Sequence, residues 1–548
     1  MRMPVRAVSM LSVLMLSLMA PAQRVVRAAP ADASTGPAIR LVLLIAVDQF
    51  RYDYLTRFRS EYTAGLHRLL TDGADFTNAF LDHYPTVTAI GHSTMMSGAT
   101  PSVSGIIGND WYDRALGKNV TSVDDPGTTI VGGAGGPGAS PHRMLVDTVG
   151  DEVKMASRAA PGSPQAPKVF GLSLKDRASI LPAGHSADAA FWLDTRTGTF
   201  VTSSYYRPDL PAWAATFNAG KPADAFAGKT WTYLDPSSGA GHTLPASGSA
   251  LYSAVYSSPF GNELLASFAL AAVEAEKLGQ RGVTDVLTVS FSSNDAIGHN
   301  YGPDSPEVRD ISVRTDRVIG QLLARIDALV GADHTLVILT ADHGVAPLPE
   351  LQKARKLPGG RYDADQLFPP IEAALTARYG ASEQKWILAT AGTSPYLNYA
   401  LVNEKKLDIV EVRKVAAAAA AGCPNVARVY TRDQILAGQV PQDIIGRRIA
   451  RSENLSRSGD LEIVLEPNWM RASSGTTHGT PYSYDAHIPL VFMGPGIRPG
   501  HYDETVALND LAPTVATLIG VETPGGSQGR VLHEMFAPAA TDHVPSTR

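Results

Sequence analysis

The chain reads as an α/β protein, a mostly parallel central sheet flanked by helices on both faces, with inserted cap regions. Three observations predict this. Residues 39–47, 285–291 and 335–340 are nearly continuous apolar runs rich in branched side chains, the pattern of strands buried on both faces of a parallel sheet. Helical stretches alternate with them, an alanine-rich one at 264–278 and a long amphipathic one at 306–330. Alternating strand and helix is the order of a doubly wound sheet.

In chain order, the first residues form a leader. Arg2 and Arg6 give a positive start and residues 8–19 are apolar. Ala20-Pro21-Ala22 is a small-residue cleavage site, with Val26-Arg27-Ala28 as the alternative. This predicts a signal peptide over 1–22, ending as late as 28, and a periplasmic or secreted mature protein. The apolar run is too short to span a bilayer comfortably, and no second long one follows, so no membrane span is expected in the mature protein. The single cysteine, Cys423, leaves no intramolecular disulfide. A net charge of -6 over 548 residues provides no basic face for nucleic acid.

A single catalytic domain is expected over 37–548, interrupted at about 190–262 and about 350–467. Its first strand ends at Asp48, which places a carboxylate at the carboxyl edge of the sheet, where open α/β folds hold ligands. A short strand at 168–174 delivers Lys175-Asp176-Arg177. The first insertion is expected to begin with a hairpin, Phe191-Trp192-Leu193 and Phe200-Val201-Thr202 around Asp194-Thr195-Arg196-Thr197-Gly198. Its aromatic, glycine and proline texture reads as a cap overhanging the site. The strand at 285–291 opens into Asp295 and His299, and that at 335–340 into Asp342-His343-Gly344. The second insertion holds the alanine run 416–421 and a short strand at 461–465. Then come Thr477-His478-Gly479, an apolar strand at 488–493 and a final helix at 508–519.

Residues 82–113 organise the rest. Pro85 ends an extended approach, and helical composition follows to Gly98. A hydroxyl in the first turn of such a helix meets free backbone N–H groups and a dipole that favours anions. Thr86 and Thr88 both compete for that place, and either could simply be an N-cap. Asp48, Asp295, Asp342, His299, His343 and His478 supply three carboxylates and three imidazoles, the oxygen and nitrogen donors that two zinc ions accept.

Together Asp48, Pro85-Thr86-Val87-Thr88, Asn109, Asp295-x-x-x-His299, Asp342-His343-Gly344 and Thr477-His478-Gly479 resemble the motifs of the alkaline phosphatase superfamily. The likeness is nearest to its threonine-nucleophile phosphatases from bacterial periplasms and runs from Asp48 to the final helix. The resemblance implies two Zn2+ per subunit, one held by Asp295, His299 and His478. The other would be held by Asp48, Asp342, His343 and the oxygen of Thr88. Thr88 matches the nucleophile, Thr86 the non-catalytic threonine before it, and Asn109 an amide donor to a phosphoryl oxygen. His478 is preferred to His487 because it precedes glycine in the matching motif. Lys175 and Arg177 resemble a Lys-x-Arg element that meets the extra charged oxygen of a monoester, a solvated charged loop being the alternative.

The implied activity is zinc-dependent hydrolysis of small-molecule phosphate monoesters through a covalent phosphothreonine, with broad substrate range. The alternatives are a nucleotide pyrophosphatase or phosphodiesterase on the same metals, and an inactive metal-binding secreted relative. A sulfatase would need a modifiable Cys or Ser where Thr88 stands, and Cys423-Pro424 lacks the required spacing.

Overall fold

A computed structural model of the protein describes residues 38–239 and 241–537. The leader over 1–22 therefore lies outside the described residues. Strand Leu41–Val47 sits in the middle of an 11-stranded sheet. Asp285–Phe291 and Thr335–Thr340 flank it, both parallel to it and in register from Leu41. Val169–Ser173 and Ala189–Asp194 extend the parallel run on the side of Asp285–Phe291. Every residue of the three central strands is buried, which is why their apolar positions are consecutive rather than alternate.

Outside these five strands antiparallel pairings enter the sheet, although the edge strand Gly500–Ala507 is parallel to its neighbour Ala74–Phe80. Leu490–Met493 runs against both Thr335–Thr340 and Ala74–Phe80. On the other flank Thr199–Ser203, Asp124–Val131 and Pro137–Ala139 follow one another antiparallel. Two groups of helices cover the sheet. Gly65–Asp72, Pro259–Glu276 and Pro306–Leu329 pack together in one, while Thr88–Ser97, Asp176–Ala183 and Leu511–Ile519 belong to the other.

The hairpin at the start of the first insertion corrects the cap expectation. Ala189–Asp194 and Thr199–Ser203 pair as foreseen, with Trp192 opposite Val201, yet both are strands of the central sheet. Phe191 and Phe200 are buried in the main core against Phe268, so this aromatic texture is packing rather than an overhang. The stretch of the second expected insertion gathers a hydrophobic cluster of its own. Helices Phe368–Tyr379 and Ile409–Ala421 pack with strands Val426–Thr431 and Leu461–Leu465 around Leu375, Trp386, Val412, Ala416 and Ile463.

Candidate active site

Asp48 directly follows Leu41–Val47. Asp295 and His299 lie on helix Ser293–Tyr301, which begins two residues after Phe291, and Asp342 and His343 follow Thr340. Because the three strands are adjacent, parallel and in register, these groups meet at one edge of the sheet. His478 arrives from the loop before Leu490–Met493, its Nδ1 2.8 Å from the carbonyl of Thr86.

The two threonines before and at the start of helix Thr88–Ser97 have different surroundings. Helix Thr88–Ser97 has Val87 as its N-cap and no side-chain cap, so neither threonine serves as one. Thr86 Oγ1 donates to the carbonyl of Thr480 at 2.8 Å, a structural tie. Thr88 Oγ1 instead lies 3.3 Å from His343 Nε2, among the buried carboxylates and imidazoles. The helix reaches this edge because Gly91 has no side chain: a Cβ there would stand 2.4 Å from the carbonyl of Asp342. Asn109 Oδ1 accepts from the N–H of Ala89 at 2.9 Å, which fixes its amide so that the NH2 group is left to donate.

Three imidazoles are turned the same way. Nδ1 of His299, His343 and His478 lies on the carbonyls of Thr476, Gly344 and Thr86 at 2.8, 2.9 and 2.8 Å. With Nδ1–H donating there, each Nε2 presents a lone pair to the cluster. His343 Nε2 then faces Asp342 Oδ2 at 3.2 Å, and His299 Nε2 faces Asp295 Oδ1 at 3.2 Å. Two acceptors at that separation repel unless a cation, either a proton or a divalent metal, lies between them. Asp342 Oδ2 is moreover buried without a hydrogen-bond partner. The donor set is all oxygen and imidazole nitrogen, and it fits zinc.

The electrostatics follow from that convergence. Burial alone would depress His343, but Asp342 outweighs it and lifts the imidazole to about 9. Burial likewise pushes Asp295 up, yet Lys175 and His299 hold it well below the usual carboxylate range. Burial, with His343 and His299 beside it, pushes His478 well down, which favours its neutral imidazole. Lys175 Nζ donates to Asp295 Oδ2 at 2.6 Å and lies 2.9 Å from Asp48 Oδ2, so one ammonium spans both carboxylates. Arg177 stands in the first turn of Asp176–Ala183, with its Nε buried and unpartnered.

The donor atoms draw together in two groups, Asp295 with His343 and His478, and Asp48 with His92 and Asp342. His343 straddles the two, since its ring also stacks on His478 at 3.5 Å between centroids. His92 was not singled out from the sequence, although it lies one helical turn after Thr88, a spacing that places both on one face. Its Nδ1 is 3.0 Å from the carbonyl of Thr88 and its Nε2 2.8 Å from Ser290 Oγ, which donates to Asp48 Oδ1. Gln49 was also missed. Its backbone N–H donates to Asp342 Oδ1 at 3.0 Å and its side-chain amide to Asp295 Oδ1 at 2.7 Å. No sequence pattern marks it. It holds a left-handed φ of 60°, a strained conformation fixed by those two bonds.

Comparison with known proteins places the chain. Residues 42–487 match the family model for type I phosphodiesterase / nucleotide pyrophosphatase. The chain belongs to that family, within the alkaline phosphatase superfamily. Alkaline phosphatase PafA of Elizabethkingia meningoseptica is 36% identical, covering 91% of this chain and 95% of its own length. Alkaline phosphatase PhoV of Synechococcus elongatus is 34% identical over 91% and 93%. A Myroides odoratus protein named calcium-transporting ATPase is 36% identical over 90% and 94%. Among the described residues here, no helix is long and apolar enough to cross a membrane. The crystal structure of wild-type PafA superposes with a TM-score of 0.84 at 35% identity, covering 92% of this chain and all of that one. A crystallised PafA variant carries substitutions at one threonine, one asparagine, one lysine and one arginine. The alkaline-phosphatase-like fold and a metal-dependent phosphatase site follow from these relationships and the geometry together.

Proposed function

We propose that this chain is an exported, two-zinc alkaline phosphatase that hydrolyses phosphate monoesters through a phosphothreonine on Thr88. The observation that carries the reading is the uncapped Thr88 hydroxyl, 3.3 Å from His343 Nε2 at a helix N-terminus. Asp295, His299 and His478 would hold one zinc, and Asp48, Asp342, His343 and Thr88 the other. His92 is left out of both sets because each of its ring nitrogens already has a partner. The ions supply positive charge that favours the Thr88 alkoxide and steadies charge on the leaving oxygen.

The chain's own groups do the positioning. Thr88 Oγ attacks phosphorus in line as the bond to the alcohol oxygen breaks, and water then opens the phosphothreonine. The first N–H groups of Thr88–Ser97 and the freed NH2 of Asn109 meet the equatorial oxygens. Lys175 and Arg177 answer the additional charged oxygen that separates a monoester from a diester. Threonine, asparagine, lysine and arginine are also the residue types substituted together in the PafA variant.

The family model names phosphodiesterases, and one observation favours that second reading: Lys175 is engaged by Asp48 and Asp295 rather than standing free for a phosphoryl oxygen. One experiment separates the two. kcat/KM is compared for phenyl phosphate and its methyl diester, in wild type and in Lys175→Ala/Arg177→Ala. The monoesterase reading expects a preference of several orders of magnitude, most of it lost in the double variant. A preference for the diester overturns it.

A further inference from the structure

Beside the metal-ligand cluster opens a cavity of about 450 Å³, and none of its lining comes from the first insertion. Asn109 and His478 stand at its catalytic end, so it is continuous with the place where a phosphoryl group would sit. The far walls belong to the second insertion. Strand Leu461–Leu465 turns Leu461 and Ile463 into that insertion's own core and Glu462 and Val464 toward the cavity. A strand position facing a closed wall is usually apolar, and here it carries a carboxyl group.

Glu462 has little to neutralise it. Its Oε1 accepts from Ser394 Oγ at 3.3 Å, and no cation is paired with it among the described residues. Burial, offset only in part by Ser394, pushes its carboxyl up to about 7. Asp110 adds a second acidic group to the lining. Arg471, the one Lys or Arg side chain in the lining, is already engaged. Its guanidinium donates to the carbonyl of Gly392 and lies 5.4 Å over the ring of Phe368. Tyr84, Tyr396 and Trp469 supply aromatic surface, and both tyrosine hydroxyls are spent on carbonyls, those of Ile463 and Arg457.

An acidic wall with aromatic faces and no free cation complements an organic ammonium. We propose that this cavity seats the alcohol portion of the substrate and that Glu462 selects phosphate monoesters whose alcohol bears an ammonium group. This rests on the phosphomonoesterase reading and names its substrate class. The phosphate lies at the metal-ligand cluster and the ammonium reaches Glu462, so charge is matched at both ends of a zwitterionic ester.

The test compares phosphocholine with 3,3-dimethylbutyl phosphate, its neutral isostere, in wild type and Glu462→Gln, with phenyl phosphate alongside. Wild type should favour phosphocholine by about tenfold or more in kcat/KM, and that ratio should fall by about tenfold in Glu462→Gln. An equal ratio in the two proteins overturns the assignment. Calorimetric titration with choline in phosphate buffer gives a readout without turnover. Wild type should bind choline and Glu462→Gln should bind it more weakly, whereas equal affinity or none in wild type sinks the proposal. Failure to hydrolyse phenyl phosphate would remove the phosphatase reading instead, and the choline titration would still decide the cavity. A melting curve of Glu462→Gln confirms that both proteins compared are folded.

Discussion

Two threonines two residues apart look alike in sequence, and only the backbone separates them. Val87 takes the N-cap position, which spends Thr86 on Thr480 and leaves the Thr88 hydroxyl beside His343. Thr88→Ala should therefore lower turnover of phenyl phosphate by at least about a thousandfold, as loss of a covalent nucleophile does, while Thr88→Ser retains a trappable phosphoenzyme. Equal turnover in Thr88→Ala and wild type would remove the nucleophile assignment. His92 makes a second test at this scale. It touches the carbonyl of Thr88 and the Ser290 that holds Asp48, so it positions nucleophile and ligand together. His92→Ala should cost about 10- to 100-fold in kcat/KM and weaken zinc binding by equilibrium dialysis, the magnitude typical of partners behind metal ligands. Asp48, Asp295 and Asp342 were legible because each follows an apolar strand. His92 and Gln49 were not, because a buried histidine in a helix and a glutamine in a turn carry no local mark of what they will touch.

At the level of elements, the central strands were readable from composition because burial on both faces demands unbroken apolar runs. The aromatic hairpin was misjudged for a related reason. Phe191 and Phe200 flank a polar turn, and a sheet strand and a cap hairpin share that pattern until the partner strand Val169–Ser173 is known. Phe191→Ala or Phe200→Ala should cost about 3–5 kcal/mol in urea unfolding, the range for emptying a packed aromatic site. If instead stability holds and only leaving-group preference moves, the hairpin acts on substrate after all. The second insertion makes a pH prediction. Buried near Glu462, the carboxyl of Glu453 is pushed up by burial to about 8 from a usual 4.5. A raised carboxyl favours folding in its protonated form, so its contribution is full below pH 4.5 and declines as pH climbs toward 8. Glu453→Gln removes that decline. Its melting temperature should gain on wild type by several degrees, roughly, between pH 5 and pH 9, and parallel pH profiles would refute the assignment.

Over the whole molecule, the candidate ligands run from Asp48 to His478 and arrive from separate strands, a helix and a late loop. Unfolding scatters them, so an ion held by the whole set binds the folded chain and not the unfolded one. The same geometry makes the metal-free cluster costly. Asp48, Asp295 and Asp342 converge at one buried edge, where the Lys175 ammonium spans Asp48 and Asp295 while the Gln49 amide groups bridge Asp295 and Asp342 without adding charge. Metal binding should thus appear as global stability as well as activity. Zinc at a thousandfold over its Kd should add about 4 kcal/mol, and a chelator should return both melting temperature and turnover to the metal-free values. Asp295→Asn removes a candidate ligand while keeping the volume, so zinc should raise its melting point much less than that of wild type. The two readouts also divide the catalytic reading from an inert metal-binding relative. Loss of stability and turnover together on chelation supports a metal that serves both fold and reaction. Loss of stability with no phosphatase activity to lose, in fully zinc-loaded protein, would leave the ions structural and Thr88 idle.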